Sequence, residues 1–274
     1  MSRAEERPKP VRIRREPPQF RDVEVQRVEP VGPRLVRLTF TGTDLGNMVG
    51  ADPAASVRLL LPPGGTGELV MPAWNGNEFV LPDGRRPAIR TLTPLRAGTP
   101  FRGADVDALA LEVVMHGSGV ASMWAAGVEP GYRAAISGPG RGYTVVRDAP
   151  AYLVGGDESA IPAIGQLLAA LPTEVSVHVC VEVERPDGRI ALTDHPNATV
   201  EWCDLPNGAP PGEALVGAIR SAGLGPGVRV WVAGEAAGVQ RVRRYLFEER
   251  ELPRAQTSIR GYWKHGRAGE TGEA

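Results

Sequence analysis

The segment AYLVGGDESAIPAIGQLLAALP, residues 151–172, decides the fold of the C-terminal half of the chain. An apolar strand runs into two glycines and two acids, and the apolar residues that follow have helical spacing. An apolar strand followed by a helical segment occurs twice more: the strand at 175–183 with the helix at 213–224, and the strand at 228–235 with the helix at 238–250. Strands that alternate with helices in this way predict a parallel sheet covered by helices.

Residues 20–147 follow a different pattern, in which short alternating segments are separated by Gly and Pro. The segments are DVEVQRVEP, RLVRLTFTG, SVRLLLP, AIRTLTPL, ALALEVVMH and RAAISG. Such a series predicts a small antiparallel β-barrel. We therefore expect a β-barrel domain at 20–147 and an α/β domain at 148–267, flanked by a flexible basic tail at 1–19 and a flexible tail at 268–274.

The composition narrows the class of protein. The 274 residues carry a formal net charge of -1, which argues against general binding to nucleic acid or to an anionic membrane. No stretch approaches the roughly 20 apolar residues that span a bilayer, and residues 1–18 lack the apolar core of a signal peptide. We expect a cytoplasmic monomer that binds no nucleic acid and does not insert into membranes.

The cysteines and histidines argue against two kinds of metal site. Cys180 and Cys203 are the only cysteines, so the chain cannot supply the four thiolates of a usual [2Fe-2S] cluster. None of the four histidines has the local spacing of a metal site. We therefore expect two reduced, packed thiols and no metal ligands.

Residues 88–96, AIRTLTPLR, resemble the flavin signature of the ferredoxin-reductase class, in which an Arg, an aromatic residue and a Thr or Ser occupy alternate strand positions and share one face. Leu92 stands at the aromatic position, where it supplies apolar contact without ring stacking. The resemblance implies that Arg90 pairs with the FAD pyrophosphate through its planar fork and that Thr93 hydrogen-bonds near the flavin N5.

Residues 115–125, MHGSGVASMWA, resemble the segment of siderophore-interacting proteins that wraps the FAD pyrophosphate. Gly117 and Gly119 permit a close backbone approach, and the N-terminus of the helix that follows favours negative charge. The family commonly has Pro where Val120 stands. The alternative is a plain strand-turn-helix connection, with His116 as an ordinary turn residue.

Two strand-to-helix turns in the C-terminal half resemble the nicotinamide side of the same family. The turn at 156–160 offers backbone N–H groups and a helix terminus to a dinucleotide. Asp157 and Glu158 favour the helix dipole but repel phosphate, so we expect them to cap the helix. Gly234 and Glu235 end a second strand at the same edge of the sheet.

Acids also close the strand between these two turns. Glu182 and Glu184 stand where an acid in related sheets hydrogen-bonds the adenosine ribose, and Arg185 is the alternative partner for a 2′-phosphate. The residues therefore leave NADH and NADPH open.

The C-terminal segment SIRGYWKHGR, residues 258–267, resembles the final strand of the family, with its Gly-Tyr-Trp ending. The resemblance implies that this segment returns to the cleft between the domains. There Tyr262 or Trp263 borders the flavin, and Lys264 and Arg267 face an anionic substrate.

Taken in order over residues 20–267, the motifs resemble the siderophore-interacting protein family. That resemblance implies FAD on the barrel, NADH or NADPH on the sheet, and electron transfer to a ferric siderophore with release of Fe(II). It implies Thr93 as the catalytic residue and Lys264 and Arg267 as substrate ligands. The implied cofactor ligands are Arg90, Thr91, Leu92, Thr93, His116, Gly117, Gly119, Val120, Ala121, Ser122, Gly156, Asp157, Glu158, Ser159, Ala160, Gly234, Glu235 and Trp263.

Two other functions remain open. The first is an NAD(P)H-flavin oxidoreductase that passes electrons to free flavin or to a ferredoxin, which would then be a further partner. The second is a siderophore-binding protein with weak or lost flavin binding, which Leu92 and Val120 favour.

Overall fold

The computed structural model describes residues 17–49, 52–63, 68–96 and 107–266. Within these ranges the chain forms a seven-stranded antiparallel sheet, a five-stranded parallel sheet flanked by helices, and a two-stranded ribbon. The predicted fold class, an antiparallel barrel followed by an α/β half, is confirmed. No helix in the described part of the chain is long and apolar enough to cross a bilayer.

The alternating segments of the N-terminal half all form strands, joined by turns at Gly and Pro. In chain order the strands are β1 (Arg21–Gly32), β2 (Leu35–Gly42), β3 (Val57–Leu61), β4 (Ala73–Trp74), β5 (Phe79–Val80), β6 (Ala88–Leu92), β7 (Leu95–Arg96), β8 (Asp107–Val114) and β9 (Arg133–Ser137). The pair β4 and β5 forms the separate ribbon.

The antiparallel sheet closes into a barrel because its two end strands continue one another along the chain. Its strand order is β6-β3-β9-β1-β2-β8-β7. Only Thr93 and Pro94 separate β6 from β7, so this bent pair joins β3 on one side to β8 on the other. Proline lacks an N–H group, which interrupts strand pairing at the bend.

Alternation along the strands builds the barrel core. Leu38 and Phe40 of β2 are fully buried, which stabilises the fold by about 1.5–3 kcal/mol for each side chain. Phe40 stacks on Trp124, with the ring centroids 6.4 Å apart. Trp124 belongs to helix α1 (Val120–Gly127), so this helix is held against the barrel core.

The C-terminal domain is a parallel sheet with the strand order β12-β11-β10-β13-β14. Its central strands are buried on both faces, as their continuous apolar runs require. In chain order its elements are β10 (Ala151–Asp157), α2 (Ile161–Ala170), β11 (Ser176–Val183), β12 (Ala198–Asp204), α3 (Glu213–Ser221), β13 (Arg229–Glu235), α4 (Ala236–Arg244) and β14 (Thr257–Trp263). A π-helical turn, Tyr245–Glu249, continues α4.

The predicted tails lie almost wholly outside the described residues. Residues 1–16 and 267–274 are not described. The part of the N-terminal tail that is described contacts the barrel, because the Ser137 hydroxyl donates a hydrogen bond to the Pro18 carbonyl.

A buried ion pair joins the barrel to the parallel sheet. Arg34, in the turn between β1 and β2, donates to both oxygens of Glu158 at 2.7 and 2.9 Å, and also to Glu184. The side chains of Arg34 and Glu158 are each 10% exposed. Burial raises the pKa of the Glu158 carboxyl, whereas the Arg34 guanidinium lowers it. The pair therefore exists only when both domains are in place.

Two further side chains cross the same boundary. Gln166 of α2 accepts a hydrogen bond from the Ala54 N–H at 2.8 Å and donates to the Pro94 carbonyl at 2.7 Å. Arg260 of β14 donates to the carbonyls of Arg141 and Gly142, both at 3.1 Å. The segment at 138–142, which follows β9, is thus bound by the second domain.

We expect Arg34→Met to destabilise the protein far more than a matched change at an exposed ion pair. Methionine keeps an apolar stem but leaves the buried Glu158 carboxylate without its cation, which costs about 3–5 kcal/mol. The control is Arg189→Met, because Arg189 and its partner Asp204 are 42% and 44% exposed, and such a pair contributes about 0–1 kcal/mol. Urea unfolding midpoints followed by tryptophan fluorescence measure both; equal midpoints would contradict the prediction.

Candidate functional site

On strand β6, Arg90 and Leu92 lie on one face. Leu92 packs at the margin of the barrel core, in the same cluster as Val120 and Ala121 of α1. Thr91 is exposed on the opposite face of the strand. Thr93 lies beyond the end of β6. The expectation that the signature residues share one face of a strand therefore holds for Arg90 and Leu92 only.

Thr91 lines a hollow on the opposite face of β6 from Arg90. That hollow is bordered by Arg58, Ser137 and the turn that contains the cis peptide Gly138–Pro139. Because the side chains of a strand alternate between its two faces, Thr91 points away from Arg90. The two side chains therefore cannot contact the same ligand on one face of β6.

Arg90 is a partly buried cation with no acidic partner among the described residues. Its guanidinium donates to the carbonyl of Ile89 at 2.7 Å, a neutral acceptor. Burial lowers the pKa of Arg90, which reflects the cost of removing its charge from water. A buried charge is normally balanced by an anion, so this position favours an anionic ligand.

The segment after β8 forms a tight turn into helix α1. The His116 N–H donates to the buried Ser122 hydroxyl at 3.0 Å, and the His116 ring lies 3.0 Å from the Ser118 hydroxyl. Gly117 and Gly119 have φ values of 72° and 76°, a region that favours glycine. Among the residues that the structure describes, no side chain caps the first turn of α1. Its N–H groups are therefore available to an anion.

Asp157, at the carboxyl end of β10, ties three strands of the parallel sheet together. Its Oδ1 accepts hydrogen bonds from the N–H and hydroxyl of Ser159 at 2.9 and 2.5 Å. Its Oδ2 accepts from the Glu235 N–H and the Trp263 indole N–H, both at 2.8 Å. Burial raises the pKa of this carboxyl, and the donors oppose that rise. Asp157 therefore caps the 3-10 turn Glu158–Ala160 that leads into α2, whereas Glu158, which was expected to cap with it, binds Arg34 instead.

The glycines of both strand-to-helix turns are close-packed positions. A Cβ at Gly234 would lie 2.6 Å from Oδ2 of Asp157. A Cβ at Gly156 would lie 2.5 Å from the Cβ of Ala160, which is itself fully buried. These two glycines are required by contacts within the protein, whatever ligand lies above them.

Glu182 is directed at the protein backbone. Its two carboxylate oxygens accept hydrogen bonds from the N–H groups of Gly212 and Leu215 at 2.6 and 2.9 Å, at the start of α3. Glu182 is 3% exposed, and burial raises its pKa. Glu182 therefore lacks the free carboxylate that the expected contact with a ribose needs, whereas Glu184 binds Arg34 through one oxygen and its side chain is 56% exposed.

Glu235 has a similar structural role at the end of β13. It accepts a hydrogen bond from the Gly238 N–H at 2.8 Å and so caps α4. Its other oxygen accepts from the His265 N–H at 3.1 Å. Through that contact Glu235 holds the chain that follows β14.

The end of β14 meets the end of β6 at the domain boundary. The side chains of Tyr262 and Thr93 lie near each other, and burial raises the pKa of Tyr262 to about 12. Thr93 is 6% exposed, whereas Trp263 is 39% exposed although its indole binds Asp157. Lys264 follows in an exposed position. Arg267 lies outside the described residues.

The structure thus brings the expected residues together in two groups. Arg90 and Leu92 lie on one barrel strand, whereas Asp157, Ser159, Gly234, Glu235 and Trp263 meet at the carboxyl edge of the sheet. Thr93 follows the first group along the chain and lies near Tyr262, which precedes Trp263 of the second group. Sequence reasoning missed Arg34 and Gln166, which fix the boundary, because a single Arg in a turn and a single Gln in a helix form no motif.

Comparison with known proteins gives the same domain order. A sequence profile described as siderophore-interacting FAD-binding domain matches residues 24–143, and one described as siderophore-interacting protein matches residues 149–266. The uncharacterized protein Rv2895c of Mycobacterium tuberculosis is 33% identical over 262 residues, which cover 90% of this chain and 91% of that protein.

Two characterised or solved proteins are also similar. Ferric vibriobactin reductase ViuB of Vibrio cholerae is 27% identical over 259 residues, with 89% of this chain and 93% of that protein covered. The crystal structure of a siderophore utilization protein from T. fusca superposes with a TM-score of 0.78 at 30% identity, over 93% of this chain and 97% of that one. The chain belongs to the siderophore-interacting protein family.

Proposed function

We propose that the protein is a FAD-dependent reductase that transfers electrons from NAD(P)H to a ferric siderophore. The observation that carries the proposal is Arg90, a partly buried guanidinium without an acidic partner in the described part of the chain. The pyrophosphate of FAD would supply the missing negative charge. The match to the FAD-binding profile supports the same assignment.

The barrel residues fit FAD in charge and shape. Arg90 and the uncapped N-terminus of α1 would hold the pyrophosphate, with Gly117 and Gly119 permitting close approach of the backbone. Leu92 would contact the flavin through its apolar side chain. Thr93, a buried residue near Tyr262, is the residue that we assign to the reacting end.

A flavin accepts two electrons from a nicotinamide and passes them on singly, which a ferric substrate requires. The protein would bind and orient FAD and NAD(P)H and shield them from water. Tyr262 packs against the core of the parallel sheet and Trp263 is fixed by Asp157, so the C-terminal strand forms one wall of the proposed site. Reduction weakens the hold of hard oxygen ligands on the metal and thereby releases Fe(II).

The sheet edge favours NADH over NADPH as the donor. Asp157 and Glu182 lie at this edge, and their carboxylates oppose the binding of an additional phosphate. Arg185, which was the alternative partner for a 2′-phosphate, binds Asp187 at 3.0 and 2.7 Å.

The reaction can be tested on the purified protein by anaerobic spectroscopy. With FAD bound, we expect NADH to bleach the flavin absorption faster than NADPH does, and a ferric siderophore to restore it while an Fe(II)-specific chromophore develops. Absence of bleaching by either nucleotide would refute the proposed donor. Bleaching that is reversed by ferredoxin or FMN but not by any ferric siderophore would favour the oxidoreductase alternative. Siderophore binding without FAD binding would favour the binding-protein alternative.

We expect Arg90→Gln to weaken FAD binding by about tenfold to a hundredfold, because charge-assisted hydrogen bonds contribute about 1.5–3 kcal/mol. Thr91→Ala is the matched control, since its side chain lies on the other face of the same strand. Fluorescence titration of the protein with FAD gives both dissociation constants. Equal loss of affinity in the two variants would point to damage to β6 and remove Arg90 from the site.

We expect Lys264→Glu to raise the KM for an anionic ferric siderophore and to leave the rate of flavin reduction by NADH unchanged. The control is Arg254→Glu, which makes the same change of charge just before β14, at the opposite end of the strand from Lys264. These ends are roughly 20–25 Å apart. Steady-state kinetics at low and high salt separate the two variants; a KM that shifts equally in both would contradict a local role for Lys264.

A further inference from the structure

A group of potential metal ligands lies on the face of the parallel sheet that α3 covers. It consists of His178 and Cys180 of β11 and Glu201 of β12. One potential ligand atom from each, a ring nitrogen, a sulfur and a carboxylate oxygen, lies within 4.8 Å of the other two. No motif in the sequence predicts this group, because Glu201 is brought to the others only by strand pairing.

Strand geometry explains why the three side chains meet. His178 and Cys180 are two residues apart in β11 and therefore point to the same face. In the parallel pair, Cys180 is opposite Glu201, so the carboxylate extends from that face as well. Nε2 of His178 is 3.2 Å from the carboxylate of Glu201. Alternate residues of β11, such as Val179, point into the core on the other side.

We propose that His178, Cys180 and Glu201 bind a zinc ion. Imidazole nitrogen, thiolate sulfur and carboxylate oxygen are the ligands that zinc takes in proteins, and three of them with one water complete a tetrahedron. A thiolate and a carboxylate also balance the charge of the divalent ion. In the described part of the chain, no hydrogen bond engages the Cys180 sulfur.

Small movements of exposed groups bring these atoms to zinc. Bonds of about 2.0–2.3 Å hold neighbouring ligand atoms roughly 3.3–3.8 Å apart in a tetrahedron, so the present spacing has to contract by about 1 Å. Cys180 is fully buried and fixed. The side chains of His178 and Glu201 are 38% and 47% exposed, so they can turn towards the sulfur.

The zinc site is separate from the proposed redox site. His178 precedes Val183, the last residue of β11, by roughly 16 Å of strand, whereas the dinucleotide turn is at the carboxyl edge. β12 is the edge strand of the sheet. A zinc ion bound by these residues would link β12 to β11. It would thereby stabilise an edge strand that is otherwise held only by backbone pairing and by α3 in the described part of the chain.

The full-length protein is titrated with Zn²⁺ in competition with a chromophoric zinc chelator. We expect one zinc ion per chain, a higher thermal unfolding midpoint with zinc bound, and no comparable effect of Mg²⁺, which disfavours sulfur ligands. Co²⁺ in place of Zn²⁺ should absorb red light strongly, as tetrahedral Co²⁺ does, at wavelengths beyond the flavin bands.

Three ligand variants and one control decide the assignment. Cys180→Ser, His178→Gln and Glu201→Gln should each weaken zinc binding by at least about tenfold, since even residues behind a ligand have effects of that size. Cys203→Ser is the control, because Cys203 lies on the same face of β12 but outside the group. His178 and Glu201 are partly exposed, so their variants remain informative if Cys180→Ser fails to fold.

Stoichiometric zinc binding that survives in His178→Gln and Glu201→Gln would overturn the proposal. So would the absence of zinc binding to the parent protein, or loss of binding in Cys203→Ser equal to that in the ligand variants. None of these measurements depends on flavin reduction, so the outcome is independent of the reductase proposal.

Discussion

The buried guanidinium of Arg34 determines how the two domains meet. It is shared by Glu158 and Glu184, two acids of the parallel sheet, and it comes from a turn of the barrel. A buried ion pair tolerates little displacement, because separating the charges leaves each without compensation in a medium of low polarity. Ligands proposed to lie between the domains therefore meet a boundary whose geometry is already set.

The carboxyl edge of the sheet is acidic, yet most of its acids serve the protein itself. Asp157 binds β13 and β14, Glu182 caps α3, and Glu235 caps α4. Each carboxylate receives backbone N–H groups that helix ends would otherwise leave without partners. This arrangement differs from a simple phosphate cradle, in which the same N–H groups would be open to a ligand.

The strands and helices follow from the sequence because their signals are local. Alternation in RLVRLTF and the apolar run VSVHVCVEV depend on neighbouring residues only, and both segments form strands. Contacts between distant segments are different. The pair Arg34–Glu158 joins residues 124 positions apart, and nothing in either segment indicates the partner. The same holds for Glu201, which only strand register brings to Cys180.

The site could be predicted in part for the same reason. The order of motifs predicts the edges at which we propose that ligands bind, and the cap formed by Asp157 follows from its position before a helix. The orientation of Thr91 and the bend after Leu92 depend on how β6 turns into β7. A pattern of alternating residues does not predict where such a bend occurs. The roles of Glu182 and Glu184 depend on long-range partners in the same way.

Gln166 gives the two halves of the molecule a thermodynamic connection. Its amide holds Ala54 and Pro94 of the barrel, and its helix begins directly after the turn at Asp157. A ligand that displaced this turn would therefore also act on the loop beside Thr93 through the Gln166 amide. Any such coupling is reciprocal. If a bound nucleotide changes the affinity for the flavin by some factor, a bound flavin changes the affinity for the nucleotide by the same factor.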